Sequence, residues 1–382
     1  MYFRDVVGQD IAKAELIHSY ATGAMPHARL FVGGDGMGAL GLAYAYARYI
    51  NCANPSSDDA CGACASCRRY DSYSVQDLLY LFPIVNVGSR NLCEDELPAW
   101  RRFLQRGPHS LYTDWLEMQG GDAKRLSIFA REGEQLMQRL SYQIAEAKYR
   151  ILLIWLPERM NEALGNKLLK LTEEPPERTH ILMVSQSEAE VLGTLRSRMQ
   201  TIHLRPVPEV LIAQHLSGLI SRKANSSPIE SAHLSGGNYR YALDDYMGNG
   251  HSNDELLGYF RRILRATVNA QPAQNRPLVE EIAKLSREEQ IDLVRYMGQL
   301  FREIFAANYD LAEVSYLRAE ELPIAQYIKE CMTVENLSII QSELDLAIRH
   351  VGQNVNSKMV FYDLLLRLTS ALARDYKRVG IR

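Results

Sequence analysis

The sequence predicts an α/β fold in which helices cover a parallel β-sheet, followed by an all-helical second half. The first observation is four short apolar runs that alternate with helical patterns, as parallel strands buried on both faces do: residues 30–32, 151–154, 181–184 and 201–204. The second is a change of pattern after Pro206 and Pro208. Beyond these prolines, apolar residues recur every three or four positions, which is typical of amphipathic helices.

Taken in order, the first run predicts a strand that leads through a glycine-rich loop into an Ala-rich helix, and each later run predicts a further parallel strand. Segment 84–125, with several glycines, Trp100 and Trp115, interrupts this alternation and indicates an insertion. The helical stripes of the second half lie at residues 291–304, 337–351 and 361–372. We expect three domains, at 1–207, 208–250 and 251–382, with the second boundary in the Gly/Asn/Ser-rich stretch 247–253.

The bulk composition of the 382-residue chain is that of an ordinary globular protein. Hydrophobic residues make up 47%, charged residues 23%, and the net charge is -3, so no strong overall field would attract nucleic acid. No apolar run approaches the roughly 20 residues needed to cross a bilayer, and residues 1–10 lack the pattern of a signal peptide. We therefore expect a cytoplasmic protein with no membrane partner.

Four of the six cysteines are spaced C-x8-C-x2-C-x2-C: Cys52, Cys61, Cys64 and Cys67. Four thiolates satisfy tetrahedral zinc and leave no position for water, and structural disulfides are rare in the reducing cytoplasm. The pattern predicts a structural zinc module at about 52–67. Iron–sulfur ligation, which uses similar cysteine spacings, and free thiols are the alternatives.

The stretch GGDGMGAL, which begins at Gly33, lies where a phosphate-binding loop would lie. Such a loop reads G-x-x-x-x-G-K-[ST], in which the lysine reaches the phosphates and the hydroxyl binds Mg²⁺. Gly33 and Gly38 have the required spacing, with Gly36 between them, but Ala39 and Leu40 replace the lysine and the hydroxyl residue. We expect a degenerate loop with no functional ATP or Mg²⁺ site.

The strand predicted at 151–154 provides a second check, because ATP hydrolases of this kind end it in Asp, often Asp-Glu. Trp155 and Leu156 follow here, and neither side chain can bind a metal or orient water. Glu158 comes three residues after Trp155, and rescue of the site by its carboxylate is the alternative. The two losses together predict that the chain has no intrinsic ATPase activity.

Six motifs occur in the order in which the AAA+ subunits of bacterial clamp loaders carry them, and the chain resembles that family: DVVGQD from Asp5, PHARLF from Pro26, the degenerate loop, the four cysteines, LLKLTEEPP from Leu168 and RSRMQ from Arg196. The motifs cover roughly residues 1–80 and 131–245, and the remainder matches only in being helical. In the family, gamma/tau subunits keep the loop lysine and the Asp-Glu pair, whereas delta-prime subunits keep the architecture and the zinc module but usually lack a competent ATP site. This chain resembles the delta-prime type.

The resemblance implies a stator that helps to load the sliding clamp on primed DNA during replication. The resemblance implies membership of the DNA polymerase III holoenzyme, a DNA-directed DNA polymerase, although no residue of this chain suggests polymerase chemistry. The implied partners are gamma/tau and delta subunits and, indirectly, the sliding clamp and primed DNA. Residues 208–250 would be the helical lid of the AAA+ domain, and 251–382 the collar that joins the subunits.

The resemblance also implies roles for three polar residues. Arg198, in Ser197-Arg198-Met199, matches the arginine finger that enters the ATP site of a neighbouring subunit, although the family has cysteine where Met199 stands. A guanidinium can stabilise charge that develops on the γ-phosphate in the transition state. Arg240 matches a sensor arginine and Ser185 a polar sensor; without a competent site we expect a salt bridge for Arg240.

Two other functions stay open. One is a divergent gamma/tau-like ATPase with a rescued site, and the other is a zinc-dependent DNA-binding repair protein. The immediate neighbours of the cysteines include Asp58 and Asp59 beside one basic pair, Arg68 and Arg69, which is a poor footprint for DNA phosphates.

Overall fold

A computed structural model describes residues 1–86, 92–120, 126–220, 227–248, 253–269, 275–309, 316–318, 320–352 and 355–379. The chain forms two compact units, Met1–Ile220 with Gly237–Leu243, and Ser221–Gly236 with Asp244–Arg382. The expected division into three domains at 207 and 250 stays a prediction, and residues 249–252 at its second boundary lie outside the described residues.

The first unit contains seven strands among the residues described: β1 Ala28–Val32, β2 Leu78–Leu81, β3 Ile84–Val85, β4 Leu126–Ser127, β5 Arg150–Trp155, β6 Thr179–Ser185 and β7 Gln200–His203. Five of them form one parallel sheet in the order β2-β5-β6-β1-β7. Leu30 of β1 lies opposite Met183 of β6 and Thr201 of β7. The predicted parallel α/β class is confirmed, and β2 is a fifth strand that no predicted run had included.

The described helices are α1 Asp10–Ala21, α2 Ala39–Asn51, α3 Ala65–Asp71, α4 Leu97–Gln105, α5 Tyr112–Met118, α6 Glu132–Ser141, α7 Glu162–Glu173, α8 Gly193–Arg196, α9 Glu209–Ser217, α10 Pro228–Leu234, α11 Tyr239–Met247, α12 Asn253–Asn269, α13 Arg276–Ile282, α14 Arg287–Asn308, α15 Leu322–Ile328, α16 Val334–Gly352 and α17 Ser357–Val379. All thirteen residues of α2 are buried, and this helix packs against β1, β5 and β6. Its alanines allow the close approach that packing on every side requires. The loop after β1 therefore leads directly into the core.

The predicted insertion 84–125 lies within the first unit, and a short antiparallel ribbon joins its two ends. Val85 of β3 pairs with Leu126 of β4, and Ile84 pairs with Ser127. Residues 87–91 and 121–125 of the insertion lie outside the described residues. The described part between these gaps contains the helices α4 and α5.

The second unit is helical, as the three-and-four periodicity predicts. Phe301, Leu344 and Leu368 come from α14, α16 and α17 and are fully buried together in one apolar core. Ser286 and Glu289 form a capping box that begins α14 and satisfies backbone N–H groups at the helix start. Among the helices described, none is both long and apolar enough to span a membrane.

Candidate functional site

The four cysteines of the predicted metal module come together in space. The Sγ atoms of Cys52 and Cys64 are 4.0 Å apart, as are those of Cys61 and Cys67, and Cys67 lies 3.7 Å from Cys52. A regular tetrahedron of thiolates about 2.3 Å from one zinc ion has edges of about 3.8 Å. The cluster can therefore hold a single zinc ion, whereas a cluster of several iron atoms needs its sulfurs further apart.

The end of α2, the start of α3 and the turns between them orient the four sulfurs toward one common centre. Cys52 follows the last residue of α2, and Cys64 caps the start of α3 with its sulfur 3.4 Å from the backbone nitrogen of Cys67. Cys61 likewise accepts from the backbone N–H of Cys64 at 3.4 Å. Gly62 has φ +74°, a left-handed conformation that glycine adopts without strain. The two-residue gaps thus make tight turns in which backbone N–H groups point at sulfur.

The surroundings act differently on two of the thiols. Backbone N–H groups of Ala63 and Cys64 lower the pKa of Cys61 to about 6, whereas burial raises the pKa of Cys67 to about 12. A metal ion that binds all four sulfurs as thiolates must therefore displace the proton of Cys67 at neutral pH.

Arg48 attaches this module to the rest of the first unit. Its side chain is fully buried, donates from Nη2 to the carbonyl of Cys67 at 3.0 Å and pairs through Nη1 with Asp71 at 2.8 Å. The guanidinium also lies 3.4 Å from the centroid of the Tyr2 ring, a cation–π arrangement. The cysteine module is thereby held against α2 and the N-terminal residues.

The glycine loop joins β1 to α2 through two glycines in the left-handed conformation. Gly36 and Gly38 have φ +74° and +88°, and Gly38 is the residue from which α2 starts. A methyl group on Gly33 would lie 2.9 Å from Cβ of Leu204, so glycine is needed there for close packing. Ala39 and Leu40 are each only 7% exposed, and their side chains belong to the core.

Two residues that the sequence analysis did not single out bind this loop. The carbonyl of Gly36 lies 2.9 Å from Nδ1 of His109, and the carbonyl of Asp35 accepts from Nδ2 of Asn238 at 2.6 Å. The backbone N–H of Val7 donates to Nε2 of His109 at 3.0 Å, so Nε2 carries no proton and Nδ1 is the donor to Gly36. His109 lies in the insertion, far from the loop in sequence, and no spacing rule could have found it.

The strand β5 ends in Trp155 and carries no acidic side chain. Trp155 is buried where an acidic metal ligand would stand. Glu158, the candidate for rescue, accepts hydrogen bonds from Oγ of Ser185 at 2.8 Å and from the backbone N–H of Gln186 at 3.0 Å. Burial raises the pKa of Glu158. Glu158 and Ser185 are therefore bound to each other.

Arg240 forms the kind of ion pair that was expected of it. Its Nη1 lies 3.3 Å from a carboxylate oxygen of Asp114, which is 7% exposed. Asp114 also pairs with Arg106 at 2.6 Å and accepts from the backbone N–H of Leu111 at 2.8 Å. The residue that the resemblance links to a nucleotide is thus paired with a carboxylate of the insertion.

Arg198 lies at the surface in the turn between α8 and β7. Its Nε and Nη2 lie 2.7 and 2.6 Å from Oε1 of Glu173 at the end of α7, and its Nη1 donates to the carbonyl of Thr194 at 2.7 Å. The side chains of Arg198 and Glu173 are 36% and 48% exposed. The guanidinium is therefore oriented by its own chain and accessible to solvent.

Comparison with known proteins indicates the same family as the sequence motifs do. A family model described as DNA polymerase III, delta subunit, matches residues 8–208. The delta-prime subunit of DNA polymerase III from Escherichia coli K12 is 22% identical over 360 residues, which cover 93% of this chain and 92% of that protein. The Yersinia pestis delta-prime subunit is 24% identical over 369 residues, 94% of each chain. A tau/gamma subunit from Haemophilus influenzae is 24% identical over 221 residues, which cover 58% of this chain and only 26% of that longer protein.

The family match covers more than half of the chain. Both delta-prime relatives align along nearly their whole length, whereas the alignment with the tau/gamma relative covers about a quarter of that protein. The chain therefore belongs to the DNA polymerase III delta-prime family of clamp-loader subunits.

Proposed function

We propose that this chain is a stator of the clamp loader, a subunit that helps to place the sliding clamp on primed DNA during replication and hydrolyses no ATP itself. The observation that carries the proposal is the burial of Ala39 and Leu40, each 7% exposed, at the two positions where an ATPase needs a lysine and a metal-binding hydroxyl. Trp155 at the end of β5 supports it, because an indole can neither bind Mg²⁺ nor orient water.

Arg198 would act in the ATP site of a neighbouring gamma/tau-type subunit. Its pairing with Glu173 is partly exposed, and ion pairs of this kind contribute at most about 1 kcal/mol to stability. Releasing the guanidinium toward a neighbour's γ-phosphate therefore costs little. The forked donors of Arg198 suit phosphate oxygens better than a lysine ammonium would.

The zinc would be structural. Cys52, Cys61, Cys64 and Cys67 fill the four positions of a tetrahedral ion, so no position remains for a reacting water. The ion would hold the loop between α2 and α3 in the shape that Arg48 anchors from within.

The partners follow from the family. The chain would assemble with gamma/tau and delta subunits in the cytoplasm, with residues 251–382 as the collar and 208–250 as a lid. Contact with the sliding clamp and with primed DNA would be made by the assembly. Polymerase chemistry would belong to other subunits of the holoenzyme.

The deciding experiment measures DNA-stimulated ATP hydrolysis by a loader reconstituted from this chain and its gamma/tau and delta partners. Arg198→Ala should lower hydrolysis and clamp loading, since arginine fingers accelerate phosphoryl transfer by about 10³ to 10⁵ at the site they enter. Arg196→Ala is the matched control, because Arg196 ends α8 two residues earlier, is also exposed and donates to the carbonyl of Glu188. Unchanged hydrolysis with Arg198→Ala would refute the finger, and ATP turnover by the isolated chain would favour the ATPase alternative.

A further inference from the structure

The insertion covers the glycine loop. Residues 97–118, which comprise α4, the turn after it and α5, are called the cap below. His109 of the cap lies between the loop and the N-terminal residues and hydrogen bonds to both Gly36 and Val7. The backbone N–H of Tyr112 in turn donates to the carboxylate of Asp35 at 3.0 Å. The cap therefore binds both the loop and its flank.

The cap also reaches the first turns of α2, where a phosphate loop holds its ligand. The Cε1 atom of His109 lies only 2.9 Å from where a Cβ on Gly38 would be. A Cβ on Gly41 would lie 2.3 Å from Cβ of Pro108 and 2.6 Å from its Cα. Glycine at 38 and 41 thus leaves room for the cap in the space directly over the helix start.

Aromatic packing holds the cap over the end of β5. The ring of Trp155 lies 5.3 Å from that of Trp100 and 5.1 Å from that of Phe103, both on α4. Trp100 stacks on Phe82 at 4.2 Å and meets Trp115 of α5 edge-on at 5.3 Å. The position of the missing metal ligand has become part of an apolar core shared with the cap.

The cap also provides the negatively charged partner of Arg240. Asp114 of α5 gives Arg240 a buried negative partner at 3.3 Å. A bound nucleotide would give a sensor arginine the same kind of partner, a phosphate oxygen. The cap therefore hydrogen bonds to the loop carbonyl, packs against the start of α2 and pairs with Arg240.

We propose that the cap is a built-in plug that fills the nucleotide site of this chain, so that a nucleotide can bind only after the cap is displaced. The inference rests on the proposed function, in which this site turns over no ATP, and adds that the site is closed as well as chemically incomplete. Restoring the lost side chains alone would not restore binding, because the cap would still occupy the site.

The test compares ADP binding by full-length chains, measured by titration with a fluorescent ADP analogue. One variant carries A39K and L40T, which restore the loop lysine and hydroxyl; a second carries His109→Gly; a third carries all three changes. Only the third should bind, and at least about tenfold more tightly than the first, because a plug closed in about 99% of molecules weakens apparent affinity about 100-fold. A fourth chain with A39K, L40T and the exposed Arg102→Ala is the matched control and should behave like the first.

Hydrogen exchange at the backbone amides of Val7 and Tyr112 reports whether the cap is closed, because both amides donate across its contacts with the rest of the unit. Tight ADP binding by the A39K and L40T variant with both amides still protected would overturn the proposal. Weak binding by the same variant, accompanied by loss of this protection, would support it, since the nucleotide would then bind only by displacing the cap. A folded triple variant that binds no ADP would also overturn it. ATP hydrolysis by the unmodified chain would instead refute the proposed function, so the two failures are distinguishable.

Discussion

The stability of the first unit should depend on pH through His109. This imidazole is 5% exposed and uses both nitrogens, accepting from Val7 at Nε2 and donating from Nδ1 to the carbonyl of Gly36. Protonation would place a second N–H against the Val7 donor. Burial accordingly lowers the pKa of His109 from 6.5 to about 4.

The sign and size of the effect follow from linkage. Between pH 6.5 and about 4 the unfolded chain binds a proton at His109 that the folded chain does not, so the free energy of unfolding falls as the pH is lowered through that window. Above pH 6.5 the contribution is fully present. From pH 7 to pH 5 the expected loss from this one residue is about 2 kcal/mol.

The assay is urea unfolding at pH 7 and pH 5, followed by tryptophan fluorescence. All three tryptophans of the chain, Trp100, Trp115 and Trp155, lie in the aromatic cluster at the cap, so the signal reports this region. The matched protein is His109→Gln, whose amide can accept and donate but does not titrate. The unmodified chain should lose about 2 kcal/mol more than the variant, and an equal loss in both proteins would refute the assignment.

Three further predictions concern the other contacts. Gly41→Ala should lower the free energy of unfolding by about 1–3 kcal/mol through overpacking against Pro108, whereas Gly193→Ala, whose methyl would meet nothing within 4 Å, should be neutral or slightly stabilising in the same urea assay. Cys64→Ser should reduce zinc in chelator-washed protein from about one equivalent to less than half, measured by elemental analysis; retention of a full equivalent would contradict the site. Glu173→Gln should change the free energy of unfolding by less than about 1 kcal/mol, and a larger loss in urea titrations would show that its contact with Arg198 is stronger than an exposed pair.

The sheet shows which strands the pattern of apolar residues can predict and which it cannot. The runs at 151–154 and 181–184 fall within β5 and β6, whose residues are all buried, because a strand covered on both faces is apolar throughout. β2 was missed: it is an edge strand of four residues that follows the cysteine module, and its Tyr80 is only partly buried. A run of four apolar residues cannot be told from a buried helical segment by periodicity alone.

The candidate sites also differ in how much of them the sequence could predict. The cysteines could be grouped from sequence because all four lie within sixteen residues, where spacing alone fixes which sulfurs can meet. The contacts of the glycine loop with His109 and Asn238 span 73 and 203 residues. No local rule relates positions so far apart, so only the folded chain shows what covers the loop. The predicted roles of Arg198 and of the degenerate loop stay predictions.

The complete burial of α2 bears on how this chain can evolve. A lysine introduced at position 39 would enter a buried site and disturb its packing unless an anion such as a phosphate paired with the ammonium. An acidic residue in place of Trp155 would break the aromatic cluster in the same way. Each of these substitutions alone therefore costs stability, so the packing of the first unit restricts which residues positions 39 and 155 can accept.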